Sequence, residues 1–197
     1  MSLPPIRKVA VLGAGVMGTG IAAHLANAGI ESLLFDIVPN GASDRNVLAN
    51  KGIQTATKLK PAPLFRKSYA KRITACNMED DGARLAECDW IVEVVVERLD
   101  IKKKVFQWVE ANRAPGSIVS SNTSGLSLAE MAEGMGDEMR SHFLVTHFFN
   151  PVRYMRLLEI VGGADTDPAV LERLTRFGEA VLGKGIVVGK DTPNFVA

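Results

Sequence analysis

His147 closes an apolar run, Phe143-Leu-Val-Thr-His147, and Phe148-Phe-Asn-Pro151 follows it at once. Of the three histidines, it is the one placed where a strand would end and a loop begin. His24 falls within an apolar helical pattern, and His142 precedes a strand with no evident partner. A lone histidine is more often structural than catalytic, so a second group must be found. Glu159 is that group. The alternation from Tyr154 to Val161 predicts a strand whose Glu159 face also carries Met155, Leu157 and Val161. A carboxylate on an apolar face is costly without a partner. Paired with a histidine, it would hold one imidazole tautomer and stabilise the imidazolium once a proton is taken, which is general-base chemistry. The bland alternative is a glutamate at an exposed strand edge.

A second constellation lies near the N-terminus. Val9-Ala-Val-Leu12 reads as a buried strand, and Gly13-x-Gly15-x-x-Gly18 opens an amphipathic run from Val16 to Ala28. Gly13 permits the tight turn, Gly15 lets a pyrophosphate approach the backbone, and Gly18 lets the helix pack against the strand. The helix start offers unpaired N–H groups and a positive dipole end. Ser32 to Asp36 forms the next strand, and Asp36 lies about 20 residues past the glycines, where an adenine ribose needs an acceptor. The combination predicts a dinucleotide site. With Ile37 and Val38 after Asp36 and no adjacent arginine, NAD is favoured over NADP.

These residues need a frame. Val38 to Lys51 is polar and turn-rich, a helical stretch runs towards Lys60, and Pro61 and Pro63 precede a basic helix from Leu64 to Lys71. Strands are predicted at Ile73–Cys76, Trp90–Val96, Ser117–Ser121 and Ile186–Val188. Asp80–Glu87 reads as a short helix, and Asp100 as the N-cap of a helix to Asn112. Ser127-x-x-Glu130 is a capping box for a helix stopped by Gly134 or Gly136, and Asp167-Pro168 opens a helix to Leu182. Alternating strands and helices predict an α/β, doubly wound, mostly parallel sheet in one domain over 1–197, with a helical excursion at about 46–71. Ligands in such sheets sit beyond the carboxyl ends of the strands, so the loops after Leu12, Asp36, Val96, Ser121 and His147 are those to inspect.

Composition excludes other classes. A net charge of +1 gives no field for nucleic acid, and no apolar run is long enough for a membrane span. The two cysteines, Cys76 and Cys88, make neither a disulfide framework nor a zinc motif, which predicts no metal and fits a cytoplasmic setting. Met1-Ser-Leu-Pro-Pro lacks the regions of a signal peptide.

The chain resembles the NAD-dependent L-3-hydroxyacyl-CoA dehydrogenases of fatty-acid β-oxidation. The matching pieces are Gly13–Gly18, Asp36, Glu93-Val-Val-Val-Glu97, Lys102, Ser120-Ser-Asn-Thr-Ser124, His147–Pro151, Glu159 and Lys190-Asp-Thr-Pro-Asn-Phe-Val196, in family order. The resemblance implies a Rossmann-type fold with His147 as base, Glu159 orienting it and Ser124 near the substrate oxygen. Met17, Asp36, Glu97, Lys102, Asn122 and Asn150 join the three glycines as cofactor residues. It also implies an acyl-CoA substrate. The serine and lysine that bind CoA in the family have no clear match, and Lys58, Lys60, Arg66 and Lys67 are candidates. In the family an Asn-Arg pair and a helical domain follow the position of Ala197. That domain is expected to supply the dimer interface, and residues 1–197 alone to be nearly inactive. The terminal run looks closest to bacterial long forms with an enoyl-CoA hydratase region. The competing readings are a related dehydrogenase of a free hydroxy or sugar acid, and an NAD-binding module without turnover.

Overall fold

The computed structural model describes residues 5–192. Pro193 to Ala197, which belong to the terminal motif, and Met1 to Pro4 lie outside the described residues. Eight strands form one sheet: β1 Lys8–Leu12, β2 Glu31–Asp36, β3 Ile73–Asn77, β4 Trp90–Glu93, β5 Ile118–Ser121, β6 Phe143–Phe148, β7 Leu157–Gly162 and β8 Gly185–Gly189. Their spatial order is β3-β2-β1-β4-β5-β6-β7-β8. All neighbours pair in parallel except β6 and β7, which run antiparallel. The order reverses between β1 and β4, and that switch point places a crevice beyond their carboxyl ends.

Helices cover both faces: α1 Val16–Asn27, α2 Val47–Ala56, α3 Leu99–Asn112, α4 Leu128–Ala132, α5 Asp137–Ser141 and α6 Pro168–Ala180. The period of two divides each strand between two cores. Val9 and Val11 join the core beneath α1 and α6, while Ala10 and Leu12 join the one beneath α3 and α4. This is why the inner strands read as unbroken apolar runs.

Several expected boundaries move, each for a local reason. The apolar run Trp90–Val96 leaves the sheet after Glu93, because the Glu93 carboxylate accepts from the Val95 amide at 2.7 Å and turns the chain. The strand expected from Tyr154 begins at Leu157. Residues 151–155 instead form a turn in which the Tyr154 and Met155 amides both donate to the Pro151 carbonyl, at 2.9 and 3.0 Å. Met155 therefore lies outside the strand and is 40% exposed.

In the excursion, α2 starts within the segment expected to be turns. Asp44 seeds it by accepting from the Asn46 amide and the Asn50 side chain, both at 2.9 Å. It ends at Ala56, where the Thr57 hydroxyl takes the Gln54 carbonyl at 2.7 Å. The basic helix expected at 64–71 is a 3-10 helix over Lys67–Arg72. Its first residues are held extended, since Asn27 of α1 binds the Pro63 carbonyl and the Phe65 amide, both at 2.8 Å. The short helix near residue 80 is likewise a 3-10 helix, Gly82–Glu87.

The α3 N-cap is Arg98 rather than Asp100, and Asp100 sits in the first turn, ion-paired with Arg98 at 2.7 Å. Ser127 caps α4 by accepting from the Glu130 amide, as its spacing predicts, and the separate α5 was not expected. Asp167 caps α6 by accepting from the Ala169 amide at 2.8 Å.

Candidate active site

The glycine loop between β1 and α1 meets three different steric demands. Gly13 has φ 114°, and a Cβ there would lie 2.7 Å from the Val94 carbonyl oxygen, so this loop and the one after β4 touch backbone to backbone. A Cβ at Gly18 would fall 1.8 Å from the Gly13 carbonyl oxygen. A Cβ at Gly15 would meet nothing within 4 Å, so the space above it is open. Gly15 is also the N-cap of α1, with no side-chain cap and no acid in the first turn. The first N–H groups of a 12-residue helix thus carry a positive dipole end with no acidic side chain in the helix's own first turn. Met17 is half-buried and packs against the core beneath α1.

Asp36, the last residue of β2, reaches back to this loop. One of its oxygens accepts from the Ala14 amide at 2.7 Å, the other from the Ile37 amide at 2.7 Å. A carboxylate has about four acceptor positions, so two remain for ribose hydroxyls. The residues therefore fit a dinucleotide: an open glycine, an uncapped helix start and a fixed carboxylate at the end of the second strand.

Beyond β4 lies a buried charge network. Glu93 and Lys102 are both enclosed, and the Lys102 ammonium donates to the two Glu93 oxygens at 2.7 and 2.9 Å. The Ser121 hydroxyl adds a bond to Glu93 at 2.6 Å. Lys102 also lies 3.2 Å from Glu97, whose side chain is 46% exposed. Glu97 accepts from the Thr123 hydroxyl and, at 3.0 Å, from the Ser124 amide. Burial works against its charge, but the Thr123 hydroxyl, Lys102 and the Ser124 amide together hold it below the usual carboxylate range. Sequence reasoning did not assign roles to Glu93, Ser121 and Thr123. The available signal was a glutamate in the apolar strand Trp90-Ile-Val-Glu93.

On the other side of the crevice, His147 and Glu159 face each other as register partners of the antiparallel β6–β7 pair. The His147 Nδ1 stands 2.7 Å from Glu159 Oε2, with the imidazole 13% exposed and Glu159 buried. The second Glu159 oxygen, Oε1, has no hydrogen-bond partner among the described residues. The Phe149 ring lies 4.4 Å from the imidazole, centre to centre. Asn122 ties the two sides together. Its amide donates to the Glu93 carbonyl at 2.8 Å, and its side-chain oxygen accepts from the Phe148 amide at 2.9 Å. Ser124 and Asn150 are exposed in the loops after β5 and β6.

The other histidines have structural partners. His24 Nε2 is 3.0 Å from the Leu182 carbonyl, and His142, for which the sequence shows no partner, has Nδ1 3.4 Å from the Glu138 carboxylate. Lys58, Lys60, Arg66 and Lys67 are exposed on the excursion. The excursion is fastened to the turn after β6, where the Arg153 guanidinium and the Tyr154 hydroxyl both donate to the Ala62 carbonyl, at 2.7 and 3.1 Å. Arg153 also stacks on Phe65, 4.5 Å from the ring centre. Among the described residues no group of three or more His, Cys, Asp or Glu side chains forms a metal site, and no helix is long and apolar enough to cross a membrane.

Comparison with known proteins agrees with this geometry. Residues 8–192 match the family described as 3-hydroxyacyl-CoA dehydrogenase, NAD binding domain. A probable 3-hydroxyacyl-CoA dehydrogenase of Bacillus subtilis is 54% identical, the match covering 98% of this chain and 26% of that protein. Another of the same name from Deinococcus radiodurans is 45% identical, with 98% of this chain and 56% of that protein covered. Among solved structures, 3-hydroxybutyryl-CoA dehydrogenase of Escherichia coli matches with a TM-score of 0.83 and 29% identity, over 98% of this chain and 40% of that one. The chain thus spans between about a quarter and just over half of the length of these relatives. A match over nearly the whole chain, on a fold with this glycine loop and this histidine–glutamate pair, places the chain in the 3-hydroxyacyl-CoA dehydrogenase family, as its NAD-binding domain.

Proposed function

We propose that the protein carrying this domain transfers hydride between NAD and the 3-position of an L-3-hydroxyacyl-CoA or 3-ketoacyl-CoA. The observation that carries this reading is the His147–Glu159 pair, 2.7 Å apart on the carboxyl edge that also holds the dinucleotide cradle. With Nδ1–H donated to Glu159, Nε2 is the basic nitrogen and takes the 3-hydroxyl proton. The imidazolium that results sits against a buried carboxylate, where attraction is strong, so the proton transfer is favoured at the moment it is needed. NAD supplies the hydride acceptor. Gly13, Gly15 and Gly18 give the backbone access for it, and Met17, Asp36, Glu97, Asn122 and Asn150 border its site. Lys102 acts from beneath, since its ammonium is spent on Glu93 and Glu97. Ser124 reaches the substrate oxygen from the loop after β5. The exposed cations of the excursion meet the CoA phosphates. A cytoplasmic setting, supported by the unpaired buried cysteines, and a homodimer formed through a further helical domain complete the proposal.

The test is acetoacetyl-CoA reduction followed by NADH absorbance in the protein carrying this domain. His147→Gln and Glu159→Gln should each lower turnover by about 10²- to 10⁴-fold while leaving NADH affinity nearly unchanged, because a base acts mainly in the transition state. Equal losses of affinity and turnover would sink the assignment. A second reading has one observation in its favour: a Rhizobium relative named L-carnitine dehydrogenase/betainyl-CoA thioesterase is 34% identical over 97% of this chain. Reduction or oxidation of a free acid, with none of an acyl-CoA, would select that reading.

A further inference from the structure

Lys184 stands between α6 and β8, and no step of the proposed reaction uses it. It is 6% exposed, and its ammonium donates to the Val152 carbonyl and, at 2.7 Å, to the Met155 carbonyl. The Phe148 ring centre lies 5.9 Å from the same nitrogen. Its partners among the described residues are therefore carbonyl oxygens and a ring, not a carboxylate. A buried ammonium without a counter-charge is costly, and an apolar side chain of similar length would fill the space at less cost. What the ammonium adds is three N–H donors radiating from one atom, enough to grip two carbonyls of a single turn.

That turn is the connection between β6 and β7. It follows His147 by a few residues and precedes Glu159 by a few, so its shape sets the register in which the two side chains meet. From inside it is held by Lys184 and by the neighbouring Gly185 amide, which donates to the Arg156 carbonyl at 2.8 Å. From outside it carries Arg153 and Tyr154, which seat the excursion through the Ala62 carbonyl. Lys184 thus grips the turn that joins the strands of His147 and Glu159 and that carries the two residues bonded to the excursion.

We propose that Lys184 is a positioning residue, which by gripping the Val152 and Met155 carbonyls fixes both the meeting of His147 with Glu159 and the seat of the excursion beside them. The role rests on reading that pair as the catalytic one, but its test does not depend on turnover. The titratable group whose charge couples to Lys184 is His24 on α1, which also feels Arg153 of the turn. Burial first, then the Lys184 charge, push His24 down to about 4, so it stays neutral at pH 7. Burial brings Lys184 itself down to about 8.

The experiment compares this chain with its Lys184→Met and Lys184→Arg variants by amide hydrogen exchange and NADH titration. In Lys184→Met, the Tyr154, Met155 and Gly185 amides should lose about 10- to 100-fold of their protection, the effect of removing charged hydrogen bonds. Amides of β1 and β2 should keep theirs, and NADH affinity should stay unchanged. The Nδ1 proton signal of His147 should broaden as its bond to Glu159 loosens. Lys184→Arg, which keeps a cation, should restore part of the protection. Equal loss of protection throughout the sheet, or none at the turn, overturns the proposal. If Lys184→Met does not fold, raising the unaltered chain from pH 7 through pH 8 weakens the same grip, and the turn amides, corrected for intrinsic exchange, should open before those of β1. Failure of the unaltered chain to bind NADH would strike the functional reading alone and leave the exchange comparison standing.

Discussion

Lys102→Met tests the charge network beneath the crevice. In the parent chain the Glu93 carboxylate has four bonds from three donors: Lys102 on both oxygens, the Ser121 hydroxyl on one and the Val95 amide on the other. Removing Lys102 leaves two of these bonds and an enclosed charge with no counter-charge of its own. Breaking one half of a buried pair costs about 3–5 kcal/mol, and the two surviving donors argue for the lower end, about 3 kcal/mol. For a domain of this size that is a fall in Tm of about 6–12 °C. Urea unfolding gives the free energy and a thermal scan gives the temperature. Adding Glu93→Gln to Lys102→Met removes the stranded charge while keeping an acceptor for Val95 and a polar partner for Ser121, so the double variant should be more stable than the single one. Glu97 also loses its ammonium, and NADH binding should weaken even in the double variant. A loss below about 1 kcal/mol for Lys102→Met, or a double variant no better than the single, would refute the account of Glu93 as a charge that Lys102 compensates.

The glycine loop can be tested by two alanines. Gly15→Ala should fold with an unchanged Tm, since its Cβ meets nothing within 4 Å, yet bind NADH poorly because the methyl enters the open space. Gly18→Ala, with its Cβ 1.8 Å from the Gly13 oxygen, should lose stability as well as binding, and thermal scans beside calorimetric titrations will separate the two cases. Asp36→Ala should weaken NADH by about 10- to 100-fold, the worth of hydrogen bonds to a charged group, while narrowing its advantage over NADPH; equal affinity for both cofactors in the parent would remove the reasoning. His24 has its pKa lowered by burial from 6.5 to about 4, so the unfolded chain takes up this proton first. Its contribution to stability is therefore intact above about pH 6.5 and is lost as the pH falls towards 4, and His24→Gln should show a shallower loss in urea titrations across that window.

The parts of this fold that were legible in the sequence are those whose causes are local. Gly13, Gly15 and Gly18 declare themselves because the demand on each is a missing Cβ, and their place between an apolar run and a helix is a matter of adjacent residues. The Ser127 and Asp167 caps are equally local. The pairing of His147 with Glu159 was legible for a different reason. Period two put Glu159 on an apolar face, and an apolar face implies a partner. Even so, the strand itself is shorter than the alternation suggests, because the Tyr154 and Met155 amides turn back onto the Pro151 carbonyl, and the Lys184 ammonium, from outside residues 154–161, binds two carbonyls of the same turn. The end of β4 follows the same logic. Val94, Val95 and Val96 have strong strand propensity, but a bond from Glu93 to the Val95 amide overrides it. Within the excursion the basic helix starts later than its sequence suggests, because Asn27, on a helix far earlier in the chain, holds Pro63 and Phe65 out of helical form.

Two buried carboxylates, Glu93 and Glu159, end up on opposite sides of one crevice, and their surroundings distinguish their tasks. Glu93 is satisfied on both oxygens, with an ammonium, a hydroxyl and an amide fixed around it. Such a group is fixed in place and fixes others, here the loops that carry Glu97 and Asn122. Glu159 is equally buried, yet its described partner is the His147 imidazole, on one oxygen. Under the proposed reaction the buried Glu159 charge would attract an imidazolium at His147 more strongly than the neutral ring, so the pair would be stabilised most in the state that follows proton transfer. On the proposed reaction the two carboxylates would divide the work: Glu93, bonded on both oxygens, would keep the loops of Glu97 and Asn122 in place, while Glu159 would favour the charge that His147 gains on taking a proton.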